Sequence, residues 1–212
     1  MKNKKLEMVL EKIEGFETPD AAYEQYKTTA VVAAPFLHLA YMSGDIENKT
    51  IYDFGCGTGI LSIGAALLGA KKVIGFDIDQ TAINCADQNK KRMEEDLSIE
   101  FVQADISAIS DKIASNELEI ADVVLMNPPF GAQEKGNDRP FLKAACDAGR
   151  IIYSIHNKGS YDFIEKFIKP AVITNCFITD FPIRKTFDFH KKESQTIQVE
   201  IYRIDTSSDS RS

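Results

Sequence analysis

Three features of the sequence predict an α/β protein with a mostly parallel sheet covered by helices on both faces. The first is a succession of strand, glycine-rich turn, helix and strand: Ile51-Tyr52-Asp53-Phe54, Gly55-Cys56-Gly57-Thr58-Gly59, Ile60 to Leu68, and Val73-Ile74-Gly75-Phe76-Asp77. That succession is a Rossmann-like βαβ unit, in which glycines let the backbone approach a ligand and the helix start offers free N–H groups. The second is Ala121-Asp122-Val123-Val124-Leu125-Met126, too short for an independent helix and rich in β-branched residues, which reads as a buried parallel strand. The third is the alternation of Ile197, Val199 and Ile201 with polar residues, the pattern of a half-buried strand closing an antiparallel hairpin.

Taken in order, Lys4 to Glu14 places Leu6, Val9, Leu10 and Ile13 at helical spacing, with Gly15 as the stop. Thr18-Pro19-Asp20 is a turn signal, and the polar, aromatic stretch Ala21 to Thr28 after it suits the lining of a ligand pocket. Ala30 to Tyr41 reads as an apolar helix that Pro35 would kink or join in its first turn, ended by Gly44-Asp45. Beyond the βαβ unit, Asp79 caps a helix through Asn89, and Ile99 to Ala104 is a third strand ending at Asp105. Asp138 to Gly149 follows as a helix, Arg150 to Ile155 as a fifth strand, and Ser160 to Ile168 as a helix that Pro170 terminates. Val172 to Thr179 and Thr196 to Ile204 form the closing hairpin, with an insert from Phe181 to Ser194 between them. The length, 212 residues, suits one domain over 1–204, with N-terminal helices over 1–48, a core over 49–204 and a disordered polar tail over 205–212.

Composition narrows the functional classes. The chain is 44% hydrophobic and 27% charged, and no stretch approaches the ~20 apolar residues of a membrane span. Met1-Lys2-Asn3-Lys4-Lys5 leads into charged helical sequence instead of an apolar h-region, so a cytoplasmic protein is expected. Cys56, Cys85, Cys146 and Cys176 form no Cys-x-x-Cys pair, and His38, His156 and His190 are equally scattered, which argues against a metal site. A net charge of −7 disfavours nucleic-acid binding by bulk attraction, so any RNA site must be a local patch. Arg184-Lys185 and His190-Lys191-Lys192 are candidates, with Lys158 and Arg139.

The glycine spacing distinguishes between cofactors. Dinucleotide sites use G-x-G-x-x-G and receive a pyrophosphate. Here the glycines run G-x-G-x-G after Asp53, and a carboxylate beside the loop repels phosphate and favours a cation. S-adenosyl-L-methionine has an ammonium, a sulfonium and no phosphate. Asp77 lies eighteen residues beyond Gly59, near the offset at which an acidic side chain grips ribose hydroxyls.

Asn127-Pro128-Pro129-Phe130 stands at the carboxyl end of the fourth strand, where open α/β sheets bind ligands. The prolines stiffen the backbone and carry no N–H, so the Asn127 amide oxygen and the Pro128 carbonyl are left as acceptors for an amino group. Phe130 offers a ring face on which a base can stack.

These residues resemble the S-adenosylmethionine-dependent class I methyltransferases that act on amino groups. More narrowly, the chain resembles the small archaeal and eukaryotic family that makes N6-methyladenosine in small-subunit ribosomal RNA. It shares Glu24-Gln25-Tyr26-x-Thr28, Asp45-Ile46-Glu47-Asn48-Lys49, Gly75-Phe76-Asp77-Ile78-Asp79 and Phe189-His190-Lys191-Lys192, a resemblance over roughly residues 20 to 204. One departure is Lys27, where the family usually has proline. The resemblance implies a seven-stranded sheet and places Gln25, Tyr26 and Thr28 beside the cofactor. It assigns Asp53, Gly55, Gly57 and Gly59 to the cofactor's methionine end, Asp77 and Ile78 to its ribose, and Asp105 and Ile106 to its adenine. Asn127 and Phe130 would hold the target base. Independently, Phe187 and Phe189 alternate with Asp188 and His190 before Lys191-Lys192, so Phe189 to Lys192 are expected to meet RNA with ring faces for bases and cations for phosphate. In eukaryotes the family also implies a small zinc-binding activator protein, for which the apolar strand 99–104 is the expected edge. DNA adenine and protein glutamine methyltransferases share the four-residue motif, and a non-catalytic RNA- or partner-binding scaffold is the remaining alternative.

Overall fold

The computed structural model describes residues 2–15, 28–129, 136–184 and 194–207. Seven strands form one sheet: β1 Thr50–Phe54, β2 Lys72–Asp77, β3 Ile99–Gln103, β4 Ala121–Met126, β5 Gly149–Asn157, β6 Val172–Arg184 and β7 Ser194–Asp205. Their spatial order is β3-β2-β1-β4-β5-β7-β6. The first five pair in parallel, and β7 runs antiparallel to both β5 and β6. The α/β class, the parallel sheet and the reversed closing strand are as the sequence predicts.

Strand alternation divides the interior into two cores. Val123 and Leu125 of β4 enter the core on one face, beneath α1 (Asn3–Leu10), α2 (Ala30–Met42) and α3 (Ile60–Leu67). Val124 and Met126 enter the other, beneath α5 (Ile109–Ala114), α6 (Asp138–Ala148) and α7 (Tyr161–Phe167). A strand buried on both faces needs a continuous apolar run, and β4 has one. The remaining helix, α4, spans Gln80–Lys91.

Several boundaries differ from the expectation. The first helix stops at Leu10 instead of Glu14, because turns at Glu11 to Ile13 bury Ile13 without a further helical turn. Pro35 neither opens α2 nor ends it; the helix continues to Met42, and Gly44 at φ +78° turns the chain so that Asp45 N–H reaches the Ala40 carbonyl at 3.0 Å. A 3-10 turn at Ile106–Ala108 leading into α5 was not anticipated, although Ile106, Ile109 and Ile113 have helical spacing. The closing hairpin is longer than expected. Phe181 is fully buried within β6, so the insert narrows to 185–193, which lies outside the described residues. The polar tail likewise begins later: Asp205 belongs to β7, and Thr206 N–H donates to the Arg150 carbonyl at 3.0 Å.

One packing contact positions the glycine-rich turn. A Cβ on Gly75 of β2 would lie 2.7 Å from the Phe101 ring, and one on Gly59 would lie 2.8 Å from the same ring. Phe101 of β3 therefore lies across both glycines. Gly75→Ala should destabilise the fold by about 1–3 kcal/mol, the usual cost of overpacking, read as a lower urea midpoint with an unchanged slope. A midpoint equal to the wild type would show that the ring can turn aside.

Candidate active site

The strand order reverses between β1 and β4, which opens a crevice at their carboxyl ends. Register places the candidate side chains on one rim: Phe54 pairs with both Phe76 and Met126, and Phe76 pairs with Val102. Asp53, Asp77, Asp105 and Asn127 thus come from the ends of four neighbouring strands.

The glycine-rich turn is folded around two carboxylates. Gly55 and Cys56 N–H donate to the Phe76 carbonyl at 2.8 and 3.0 Å. Gly57 N–H donates to Asp77 Oδ2 at 2.9 Å, and Asp79 N–H donates to Asp77 Oδ1 at 3.0 Å, so one side chain joins the turn to the start of α4. Gly59, at φ +80°, caps α3 in the left-handed region where a side chain would be strained. Asp53 is 1% exposed, and its Oδ2 accepts from Ser62 N–H at 3.0 Å and Ser62 Oγ at 2.6 Å. Its Oδ1 is buried without a hydrogen-bond partner among the described residues. Burial pushes the Asp53 pKa up to about 7, against the Ser62 bonds and with help from the Asp77 charge. Burial also raises that of Asp77.

At the rim, Ile78 is 49% exposed, an uncovered aliphatic side chain beside Asp77. Asp105 Oδ1 accepts from Ser107 N–H at 2.8 Å, capping the 3-10 turn that buries Ile106. These residues fit S-adenosylmethionine: a buried carboxylate oxygen lacks a donor among the described residues, three of the turn's five residues are glycines, and an apolar surface stands next to the second acid.

Asn127 follows Met126 directly. Its Nδ2 donates to Thr28 Oγ1 at 2.9 Å, and its Oδ1 is buried with no partner among the described residues. Because Thr28 takes the donor end of the amide, the acceptor end is the one left over. Pro128 is buried and Pro129 half-buried. Gln25, Tyr26, Phe130, Phe189, His190, Lys191 and Lys192 lie outside the described residues.

Two supporting residues were not anticipated. Ser62 pins Asp53 from inside α3. Asn89 of α4, 1% exposed, donates to the Thr58 carbonyl at 3.0 Å and the Glu14 carbonyl at 3.1 Å, while its Oδ1 accepts from Glu14 N–H at 3.1 Å. An asparagine at core-facing helical spacing from Ala82 and Ala86 was the available signal.

Among the described residues no group of His, Cys, Asp and Glu is arranged to hold a metal, and no helix is long and apolar enough to cross a membrane. A family model for ribosomal protein L11 methyltransferases (PrmA) matches residues 28–127. An uncharacterized protein of Methanocaldococcus jannaschii is 40% identical over 211 residues, covering 97% of this chain and 94% of its own length. The rRNA N(6)-adenosine-methyltransferase METTL5 of Danio rerio is 37% identical over 209 residues, covering 96% of this chain and 99% of its own length. Among solved structures, a candidate RNA methyltransferase from Pyrococcus horikoshii matches with a TM-score of 0.85 at 37% identity, over 100% of this chain and 99% of that one. With its glycine-rich turn and its asparagine at the end of β4, the chain belongs to the S-adenosylmethionine-dependent methyltransferase family that includes the METTL5 rRNA N(6)-adenosine-methyltransferases.

Proposed function

We propose that this methyltransferase methylates the N6 amino group of an adenosine in small-subunit ribosomal RNA. The observation that carries the reading is the Asn127 amide, whose donor end is held by Thr28 and whose buried acceptor end has no partner among the described residues. A buried acceptor left unmatched costs about 1–3 kcal/mol, and a substrate N–H removes that cost. The relatives' names, an rRNA N(6)-adenosine-methyltransferase and a candidate RNA methyltransferase, support an adenosine over a glutamine amide.

The lone pair of an exocyclic adenine amine is delocalised into the ring, so the amine is a poor nucleophile. Asn127 Oδ1 and the Pro128 carbonyl would accept its two hydrogens and turn the lone pair outward. S-adenosylmethionine, when bound, supplies an electrophilic methyl group on a sulfonium. Asp53 would face its ammonium, Asp77 and Ile78 its ribose, and Asp105 and Ile106 its adenine. Gln25 and Tyr26 would flank the cofactor from the N-terminal segment. Phe130 would stack on the target base, and Phe189, His190, Lys191 and Lys192 would meet the RNA. No strong base is required, because the amine becomes acidic once it carries the methyl group; positioning and electrostatics provide the acceleration.

An activator protein would add a strand beside β3. That strand has a neighbour on one side only among the described residues, and Phe101 and Val102 are half-buried there.

Radiolabelled methyl transfer onto ribosomal subunits, followed by nucleoside analysis, tests the central reading: label in N6-methyladenosine is the expected outcome. Asn127→Ala should keep cofactor affinity while turnover falls by ~10²–10³; turnover within a few-fold of the wild type would make Asn127 merely structural. Asp53 provides a pH test. Its raised pKa means that the free protein holds the proton below about 7, and an ammonium beside it expels that proton. Affinity should therefore rise with pH up to about 7, with net proton release at about pH 6 that the Asp53→Asn variant lacks. Calorimetry in buffers of different ionisation enthalpy reads the difference. Ala104 N–H donates to the Asp77 carbonyl of β2, so the N–H of Gln103 faces the open edge. Gln103→Pro, which removes that edge N–H, should abolish co-purification with a zinc-binding activator while the free chain stays folded; an unchanged complex would move the interface off β3.

A further inference from the structure

Beside the rim that carries Asn127 lies a chain of buried polar groups with no part in holding cofactor or amine. His156 of β5 is 3% exposed, with Nε2 2.6 Å from Ser154 Oγ and Nδ1 3.4 Å from Asp138 Oδ2. Ser154 is completely buried and pairs in parallel register with Met126, the residue before Asn127. Asp138 is the first residue of α6. On the other side of the imidazole, β7 places Glu200 opposite His156 in register, and the Tyr202 ring lies 5.8 Å away. Tyr202 donates to Glu200, whose carboxylate also accepts from Gly159 and Ser160 N–H at 3.0 and 3.2 Å. Arg139, next to Asp138, stands over the Phe163 ring at 5.4 Å from its centroid.

The order Ser–His–Asp is that of a hydrolase, but Ser154 has no exposed surface and sits inside a strand, so its hydroxyl cannot reach a substrate. Its role must be sought in what the array holds together. Buried polar groups cost free energy unless bonded, so an apolar filler would serve stability as well. What polar groups add is direction. α6 begins without a side-chain cap bond, and the His156 contact engages its first residue. The imidazole reaches the downstream flank of the substrate motif directly, through Asp138, and its other nitrogen is held by Ser154, whose position on β5 pairs with Met126 just upstream of Asn127. The largest cause lowering the Asp138 pKa is its hydrogen bond with His156, in keeping with that contact.

We propose that His156 is a positioning residue for methyl transfer, which fixes β5 and the start of α6 against each other so that Asn127 and Pro128 present their acceptor oxygens at the place where the target amine is held. The proposal rests on the reading of Asn127 as the amine-holding residue.

The test compares wild type, His156→Ala, His156→Gln, Asp138→Ala and the double variant His156→Ala/Asp138→Ala as full chains. His156→Ala should lower kcat by ~10²-fold, what a misplacement of about 1 Å costs. S-adenosylmethionine affinity should stay within about twofold, because Asp53, Asp77 and the glycine-rich turn lie on β1 and β2. His156→Gln, whose amide can accept from Ser154 and donate to Asp138, should recover most of the loss. Asp138→Ala should lower kcat less, and the double variant should be no worse than His156→Ala, since both cut one array. The Asp138 side chain is 22% exposed against 3% for His156, so its variant removes less buried contact and gives a reading even where His156→Ala does not fold. Unchanged kcat in His156→Ala, a loss matched equally in cofactor affinity, or additive losses in the double variant would each overturn the proposal; where His156→Ala does not fold, unchanged kcat in Asp138→Ala overturns it. Wild-type transfer onto ribosomal subunits is the control. Its absence would overturn the RNA reading and the proposal with it, whereas an active wild type with an equally active His156→Ala would overturn the proposal alone.

Discussion

The reversal of strand order at β1 is the constraint on which the site depends. The chain builds outward from β1 through β2 to β3, then returns to β1's other side with β4 and β5. The connections leaving β1 and β4 therefore diverge to opposite faces, and the carboxyl ends of two adjacent strands are left open. Nothing in that geometry selects a chemistry. Selection comes from which side chains occupy the ends: two acids on the β1–β2 side and an amide followed by prolines on β4.

Among the described residues, both halves of the crevice contain a buried acceptor without a donor, Oδ1 of Asp53 and Oδ1 of Asn127. Each is the second atom of a group whose first atom is engaged, by Ser62 and by Thr28. This arrangement serves recognition in two ways. The engaged atom fixes the orientation of the group, and the vacant one carries a desolvation cost that only a suitable donor removes. For Asp53 the cost takes the form of a carboxyl group that holds its proton to about pH 7, which a cation placed beside it would reverse. The chain's net charge of −7 has no part in this, since the recognition is set at single atoms.

The residues that were legible in the sequence are those whose chemistry depends on local spacing. The glycine-rich turn, Asp53, Asp77 and Asn127-Pro128-Pro129 announce themselves because a tight turn, an acid at a strand end and a stiffened acceptor each leave a short pattern. The supports do not. Thr28 and Asn127 are 99 positions apart, and Asn89 and Glu14 are 75 apart, so their bonds exist only once helices pack. His156 was harder still: the scattering of histidines argues against a metal, yet its partners Ser154 and Asp138 are defined by register across β5 and by the start of α6. The boundaries that shifted, at α1 and the hairpin, are those where burial continues after the local signal has faded, as Ile13 and Phe181 illustrate.

The same bonds explain why a stretch outside the βαβ core belongs to the site. Glu14, after α1, is held at both its N–H and its carbonyl by Asn89, which also grips the turn at Thr58. Thr28, just before α2, is held by Asn127. The N-terminal region is thereby fastened to the glycine-rich turn at one point and to Asn127 at another. Since α1 packs on α2 and both cover the core over β4, a change that loosens their packing is expected to act on the orientation of Asn127 as well as on stability. Thr28 is the link through which that coupling acts, because without it the Asn127 amide has no fixed donor end and its two ends become interchangeable.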